Sequence, residues 1–208
     1  MSLDTFTHRF EPATLDGLRP LLLLHGTGGS EDDLIPLARR VAPGAALLAP
    51  RGRVLEGDLR RYFRRFAEGV LDEDDVARQT DALAAFVADA RRAYGLAAPI
   101  AIGFSNGANV AAAVLMRHPE ALAGAALLRA MMPLQEPPAF RLPATPVLLL
   151  PGGADRMIPA GHPQRLAATL EQAGATLEHR VDDEAGHGVG ERDFATLRQW
   201  LQSVILAD

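Results

Sequence analysis

The chain has 208 residues, a formal net charge of −5, 48% hydrophobic residues and no cysteine. That length suits one well-buried domain, the missing cysteine removes disulfides, thiolate catalysis and cysteine metal sites, and the acidic balance speaks against nucleic acid as a partner. All 21 lysine-plus-arginine positions are arginine, which excludes a lysine base or Schiff base.

In chain order, Met1-Ser2-Leu3-Asp4 lacks the basic and apolar regions of a signal peptide. No apolar run is long enough to span a bilayer, so a soluble cytoplasmic protein without stable membrane insertion is expected. Residues 5–10 alternate in polarity and suit a strand near a sheet edge. Leu21–Leu24 is a continuous apolar run that enters His25-Gly26-Thr27-Gly28-Gly29. Ser30, with Glu31, Asp32 and Asp33 behind it, reads as a helix N-cap. Residues 45–49 form a second apolar run, followed by Pro50-Arg51-Gly52-Arg53 and the basic-aromatic stretch Arg60-Arg61-Tyr62-Phe63-Arg64-Arg65-Phe66.

A long helix opens at Asp72, Glu73, Asp74 and Asp75, carries Val76, Leu83, Phe86, Val87, Ala90 and Tyr94 on one face, and stops at Gly95. These acidic clusters resemble metal ligands, but complementing the positive end of a helix is the commoner use of such residues. Ile100–Phe104, Gly124–Leu128 and residues 147–150 are further apolar runs; residues 176–181 alternate more and suit a position near an edge. Phe194, Leu197, Leu201, Val204 and Ile205 face inward from a final helix. Continuously apolar strands are those covered on both faces. Their alternation with helices gives an α/β fold with a mostly parallel central sheet and right-handed crossovers. Residues 133–146 are proline-rich and long enough for a short lid, but too short for a separate cap domain. One domain, 1–208, is expected.

The chemistry centres on Gly103-Phe104-Ser105-Asn106-Gly107, a G-x-S-x-G with a strand before it and an alanine-rich helical run after it. Such a turn holds its serine in a strained conformation above the sheet, and flanking side chains would collide with neighbouring backbone. A serine hydroxyl needs a base, and the base needs an orienting acid. Asp155 lies in the loop Pro151-Gly152-Gly153-Ala154-Asp155 after one strand, and His187 in a glycine-flanked turn after the last. In an open α/β sheet the carboxyl ends of the strands share one crevice, which lets Ser105, Asp155 and His187 meet. Asp155 can alternatively cap a helix near Pro159, and Asp182 or Asp183 can alternatively orient the histidine. His8, His118, His162 and His179 do not occupy a loop after the last strand. The oxyanion donors expected are the backbone N–H groups of Asn106 and Thr27. As a phosphate-binding turn, the glycine loop lacks the required spacing and any G-K-[ST].

These residues are similar to those of the α/β-hydrolase superfamily, and within it the phospholipase/carboxylesterase family. The likeness covers nearly the whole chain and rests on Leu24-His25-Gly26-Thr27-Gly28-Gly29, Gly103-Phe104-Ser105-Asn106-Gly107, Gly152 to Asp155 with Ile158-Pro159, and Gly186-His187. Pro50-Arg51-Gly52-Arg53 with Tyr62-Phe63-Arg64-Arg65 resembles a bacterial subgroup of small carboxylesterases, some linked to hydroquinone or catechol stress. The resemblance implies a metal-independent serine esterase, with no cofactor, acting on short acyl esters, aryl esters, lysophospholipids or acyl thioesters. It also implies that a homodimer is common among relatives, although no feature of this sequence demonstrates one. The common family elbow has glutamine after the serine, where this chain has Asn106.

Tyr62 and Phe63 are expected to line the acyl or alcohol pocket, with Arg64 paired to an internal carboxylate or a substrate anion; the alternative is ordinary packing beneath a long loop. Met131 and Met132 follow a strand and are expected to border the same pocket. Ester hydrolysis through an acyl-enzyme is the leading function. A serine acyltransferase or lactone hydrolase would use the same site, and a silent binding module on this fold would be marked by a missing triad member.

Overall fold

The computed structural model describes residues 3–206. β1 (His8–Glu11) and β2 (Leu21–Leu24) precede α1 (Ile35–Val41) and β3 (Leu47–Pro50). Two hairpins follow, β4 (Val54–Glu56) with β5 (Leu59–Arg61), then β6 (Arg65–Ala67) with β7 (Val70–Leu71). α2 (Glu73–Tyr94), β8 (Ile100–Phe104), α3 (Asn106–Arg117) and β9 (Gly124–Leu128) form the centre. β10 (Pro146–Leu150), α4 (His162–Gln172), β11 (Thr176–His179) and α5 (Glu191–Val204) complete the chain.

Seven strands make one sheet in the order β1-β3-β2-β8-β9-β10-β11, parallel except for β1, which pairs antiparallel with β3 at one edge. The apolar strand runs have a simple cause in the pleat. Leu22, Leu24, Ala101, Leu127 and Leu149 join one buried cluster, and Leu21, Leu23, Ile102, Leu128 and Leu148 the other. Successive side chains point to opposite faces, so a sheet covered on both sides demands an apolar residue at every position. The first cluster takes Val76, Leu83, Phe86 and Val87 of α2, Leu166 and Leu170 of α4, and α3; the second takes Ile35 of α1 and Leu197, Trp200 and Leu201 of α5. Helices therefore cover both faces. Trp200, which the expected inward face of the last helix omits, is one of its most buried residues.

Parallel register aligns the carboxyl ends. Leu24 lies opposite Gly103, Phe104 opposite Leu128, and Leu128 opposite Leu150. The loops leaving β2, β8, β9 and β10 thus open on one side of the sheet, and the Gly152–Asp182 bridge brings the loop after β11 alongside them.

Two local expectations are corrected. Ser30 does not cap α1, which starts five residues later. Its hydroxyl donates to Asp33 Oδ1 at 2.7 Å and accepts from the Asp32 N–H at 3.3 Å, closing a turn before the helix. Asp72, by contrast, caps α2 by accepting the Asp75 N–H. The proline-rich connection is no lid: Leu142 N–H and Ala144 N–H donate to Ala173 and Gly174 at the end of α4, and Leu142 is fully buried. The cover over the strand ends comes from the two hairpins of residues 54–71, whose short strands lack an alternating pattern long enough to read in the sequence.

Candidate active site

Ser105 stands between β8 and α3 with φ 51° and ψ −113°, a conformation that is costly for a residue with a Cβ. The packing around it forces the turn. A Cβ at Gly103 would sit 2.5 Å from the Gly107 carbonyl oxygen, and one at Gly107 would overlap the Leu24 and His25 carbonyls. Only glycine lets α3 start so close beneath β2 and β8. The Ser105 N–H is bound to Leu128 O at 2.9 Å, which fixes the elbow to β9.

Three loops converge on the serine. His187 Nε2 lies 2.9 Å from Ser105 Oγ, and His187 Nδ1 lies 2.8 Å from Asp155 Oδ2. A carboxylate only accepts, so Nδ1 carries the proton and donates, leaving the Nε2 lone pair to accept from the serine hydroxyl. The Asp155 side chain is 2% exposed, and its other oxygen accepts the Met157 N–H at 2.8 Å. Asp155 does not cap a helix near Pro159, since α4 starts at His162 after Gly161; its second oxygen closes the short turn to Met157 instead. Asp182 faces elsewhere, accepting from the Glu184 N–H and from Arg192. The Phe104 ring packs tilted against the imidazole at 5.3 Å between centroids.

Thr27 and Asn106 both border the cleft that contains Ser105. Asn106 is the first residue of α3, so its N–H is among the amino-terminal donors that have no intrahelical acceptor. Its side chain does different work: Oδ1 accepts the Tyr62 N–H at 2.7 Å, tying the hairpin segment to the elbow. The Thr27 loop is held from the other side, by Gly28 N–H on Arg60 O at 2.8 Å and by Arg61 Nη1 on Thr27 Oγ1 at 2.7 Å. Below it His25 is buried. Its Nδ1 lies 2.6 Å from Gly26 O and its Nε2 accepts the Gly52 N–H at 2.9 Å, so the ring is neutral; burial pushes its proton affinity down.

The expected substrate contacts separate into two groups. Met131 lines the cleft, its N–H held by Asn109 Oδ1 at 2.8 Å, whereas Met132 is buried in the core. Tyr62 and Phe63 do not reach the cleft, because both are folded into the core beneath the hairpins. The Tyr62 hydroxyl donates to Pro50 O at 2.7 Å and accepts the His25 N–H at 3.3 Å, and burial raises its pKa. Arg64 points outward and pairs with Asp72, the α2 cap. The arginines that border the cleft are Arg61 and Arg65, three and one residue away from the one singled out, and they face Glu56 and Glu68. Leu59, Leu71, Phe104, Met157 and Ile158 join Met131 as the apolar part of a mixed lining, and the cleft has a volume of about 310 Å3.

Sequence reasoning also passed over Arg129, the largest of the fully buried side chains. It follows β9 with φ 57° and forms a two-pronged pair with Asp193 of α5, at 2.9 and 2.7 Å.

Comparisons with known proteins identify the fold and the family. A family model described as the alpha/beta hydrolase fold matches residues 19–182. MhqD of Bacillus subtilis (strain 168), named as a hydrolase, is 35% identical over 201 residues, spanning 96% of this chain and 99% of that protein. The crystal structure of a Bacillus cereus carboxylesterase matches with a TM-score of 0.93 at 35% identity, covering 96% of this chain and 95% of that one. A carboxylesterase from Mesorhizobium loti matches with a TM-score of 0.89 at 36% identity, covering 95% of each chain. Among the described residues no helix is long and apolar enough to cross a membrane. With its parallel sheet, its serine turn and relatives that align from end to end, the chain belongs to the alpha/beta hydrolase fold family and is a carboxylesterase-type hydrolase within it.

Proposed function

We propose that the protein hydrolyses small carboxylic esters through an acyl-enzyme on Ser105. The observation that carries this reading is the continuous hydrogen-bond path from Ser105 Oγ through His187 to Asp155, at the wall of a small cleft. Ser105 Oγ attacks the ester carbonyl carbon as His187 Nε2 takes its proton. The bond to the alcohol oxygen then breaks, and the imidazolium returns the proton to the leaving group. Water, deprotonated by the same nitrogen, attacks the acyl carbon and releases the acid and the free serine. Asp155 keeps Nδ1 protonated and stabilises the imidazolium. The Thr27 and Asn106 N–H groups hold the developing oxyanion, aided by the positive end of α3. None of these steps uses a metal or a cofactor.

The cleft, at about 310 Å3, is at the lower end of the range of about 300–1,000 Å3 for small-molecule pockets. Its small size favours short acyl or aryl esters. A fluorophosphonate probe tests the mechanism: it is expected to modify Ser105 of the folded protein and to leave Ser105→Ala unlabelled. Labelling that survives in Ser105→Ala would refute the nucleophile assignment. p-Nitrophenyl acetate and butyrate are expected to turn over faster than longer acyl esters, and the reverse order would contradict the short-chain reading.

A further inference from the structure

We propose that Arg129 is a positioning residue for the catalytic base, holding the His187 loop in register with the serine turn; this rests on the triad reading above. Arg129 Nε donates to Gly186 O at 2.8 Å and Nη2 donates to Gly188 O at 2.8 Å, so one guanidinium grips the carbonyls on both sides of His187. Nη1 donates to Leu150 O at 2.9 Å, at the end of the strand that leads to Asp155. The remaining contacts are the two to Asp193, whose Oδ2 also accepts the Gly190 N–H at 2.9 Å. Arg129 directly follows Leu128, whose carbonyl binds the Ser105 N–H. The Arg129 side chain therefore links the base loop to the end of the strand that leads to the acid, and the residue before it holds the nucleophile's turn.

Stability alone is a weak reason for this arrangement. The Arg129 side chain is 0% exposed, and buried ion pairs are often replaced by apolar residues without loss of stability. Its backbone also sits at φ 57°, a conformation disfavoured for arginine. What an apolar pair cannot supply is a planar fork of donors fixed in direction, and lysine cannot supply it either. The loop is otherwise glycine-rich, with Gly186, Gly188 and Gly190 around the histidine, so its conformation needs an external template. A displacement of about 1 Å in a catalytic group can cost about 100-fold in rate.

The test separates holding the fold from holding the base. The double variant Arg129→Met/Asp193→Leu removes both charges together, so no uncompensated ion is left buried. It is expected to remain folded with a lowered melting temperature, because the Gly186 and Gly188 carbonyls and the Gly190 N–H lose their partners, while kcat for p-nitrophenyl acetate, normalised to folded protein, falls by about 100-fold and KM changes by less than about threefold. Arg129→Lys keeps a cation beside Asp193 but loses the grip on Gly186 and Gly188. It should show the same split between kcat and KM, with rates normalised to folded protein. If either folded variant keeps kcat within about threefold of the parent, Arg129 is structural only and the proposal fails. Absence of fluorophosphonate labelling at Ser105 in the parent would instead refute the triad reading; labelling there, with undiminished kcat in the variants, would refute the Arg129 role alone.

Discussion

Asp155→Asn is expected to be nearly isosteric and nearly inactive, because the two ends of the new amide are not interchangeable. Asp155 Oδ1 accepts the Met157 N–H and Oδ2 accepts the His187 Nδ1–H. An asparagine has one acceptor, and the backbone donor at Met157 cannot change its nature. The amide oxygen therefore goes to Met157, and the NH2 group faces His187 Nδ1. The imidazole must then accept at Nδ1 and carry its proton on Nε2, the nitrogen that should take the proton of Ser105. Loss of the correct tautomer in a serine–histidine–aspartate triad lowers kcat by about 10,000-fold, equivalent to about 5 kcal/mol at 1.36 kcal/mol per factor of ten. Steady-state hydrolysis of p-nitrophenyl acetate and the rate of fluorophosphonate labelling should fall together, while circular dichroism and melting stay close to the parent. A folded Asp155→Asn that keeps activity within about tenfold would show that this carboxylate does not set the tautomer.

Tyr62→Phe is expected to cost about 1–3 kcal/mol of stability by leaving Pro50 O and the His25 N–H without their partner, with KM unchanged. A change in KM at undiminished stability, measured by urea unfolding and ester kinetics, would return Tyr62 to the substrate pocket. Asn106→Gln pushes one more methylene against the Tyr62 backbone. It should cost about 1–3 kcal/mol through overpacking and leave kcat nearly intact, because the oxyanion donor is a backbone N–H; a large kcat loss with parental stability would contradict this. For His25, burial lowers the folded-state pKa below its ordinary 6.5. The unfolded chain then binds more protons below that pH, so stability is full above about pH 6.5 and falls as the pH drops toward the folded-state value. His25→Gln, which can still accept from Gly52, should have a flatter melting-temperature profile between about pH 7 and 5. Parallel profiles for parent and variant would refute it.

The sheet and the chemical site were legible in the sequence for the same reason. A strand covered on both faces needs an unbroken apolar run, so Leu21–Leu24 and Gly124–Leu128 announce their depth directly. The proposed triad needs particular residue types in loops at strand ends; Ser105 and Asp155 follow such runs, and His187 follows the more alternating edge strand. Arg129 sits beside one too, yet it was passed over, because one arginine among 21 has no local mark. What distinguishes it is a partner 64 residues away and the carbonyls of a loop that is not adjacent in sequence.

The basic-aromatic stretch shows where local reading gives out. Read as a string, Arg60-Arg61-Tyr62-Phe63-Arg64-Arg65-Phe66 offers cations and rings in alternation, which suits an anionic ligand or a stacked base. In the fold, the rings that look available are not: Tyr62 and Phe63 are in the core, and Phe66 faces outward. Three of the four cations are already matched, Arg64 by Asp72, Arg65 by Glu56 and Glu68, and Arg61 by Glu56, a Thr27 hydroxyl and the Phe63 carbonyl. The matching carboxylates come from a strand, a hairpin turn and a helix cap within residues 56–72, and only the closing of both hairpins decides which cation each one meets. Three arginines that suggest a binding surface, Arg61, Arg64 and Arg65, are instead fastenings of the two hairpins. One of them, Arg61, reaches through to the Thr27 loop and connects that scaffold to the donors proposed for the oxyanion.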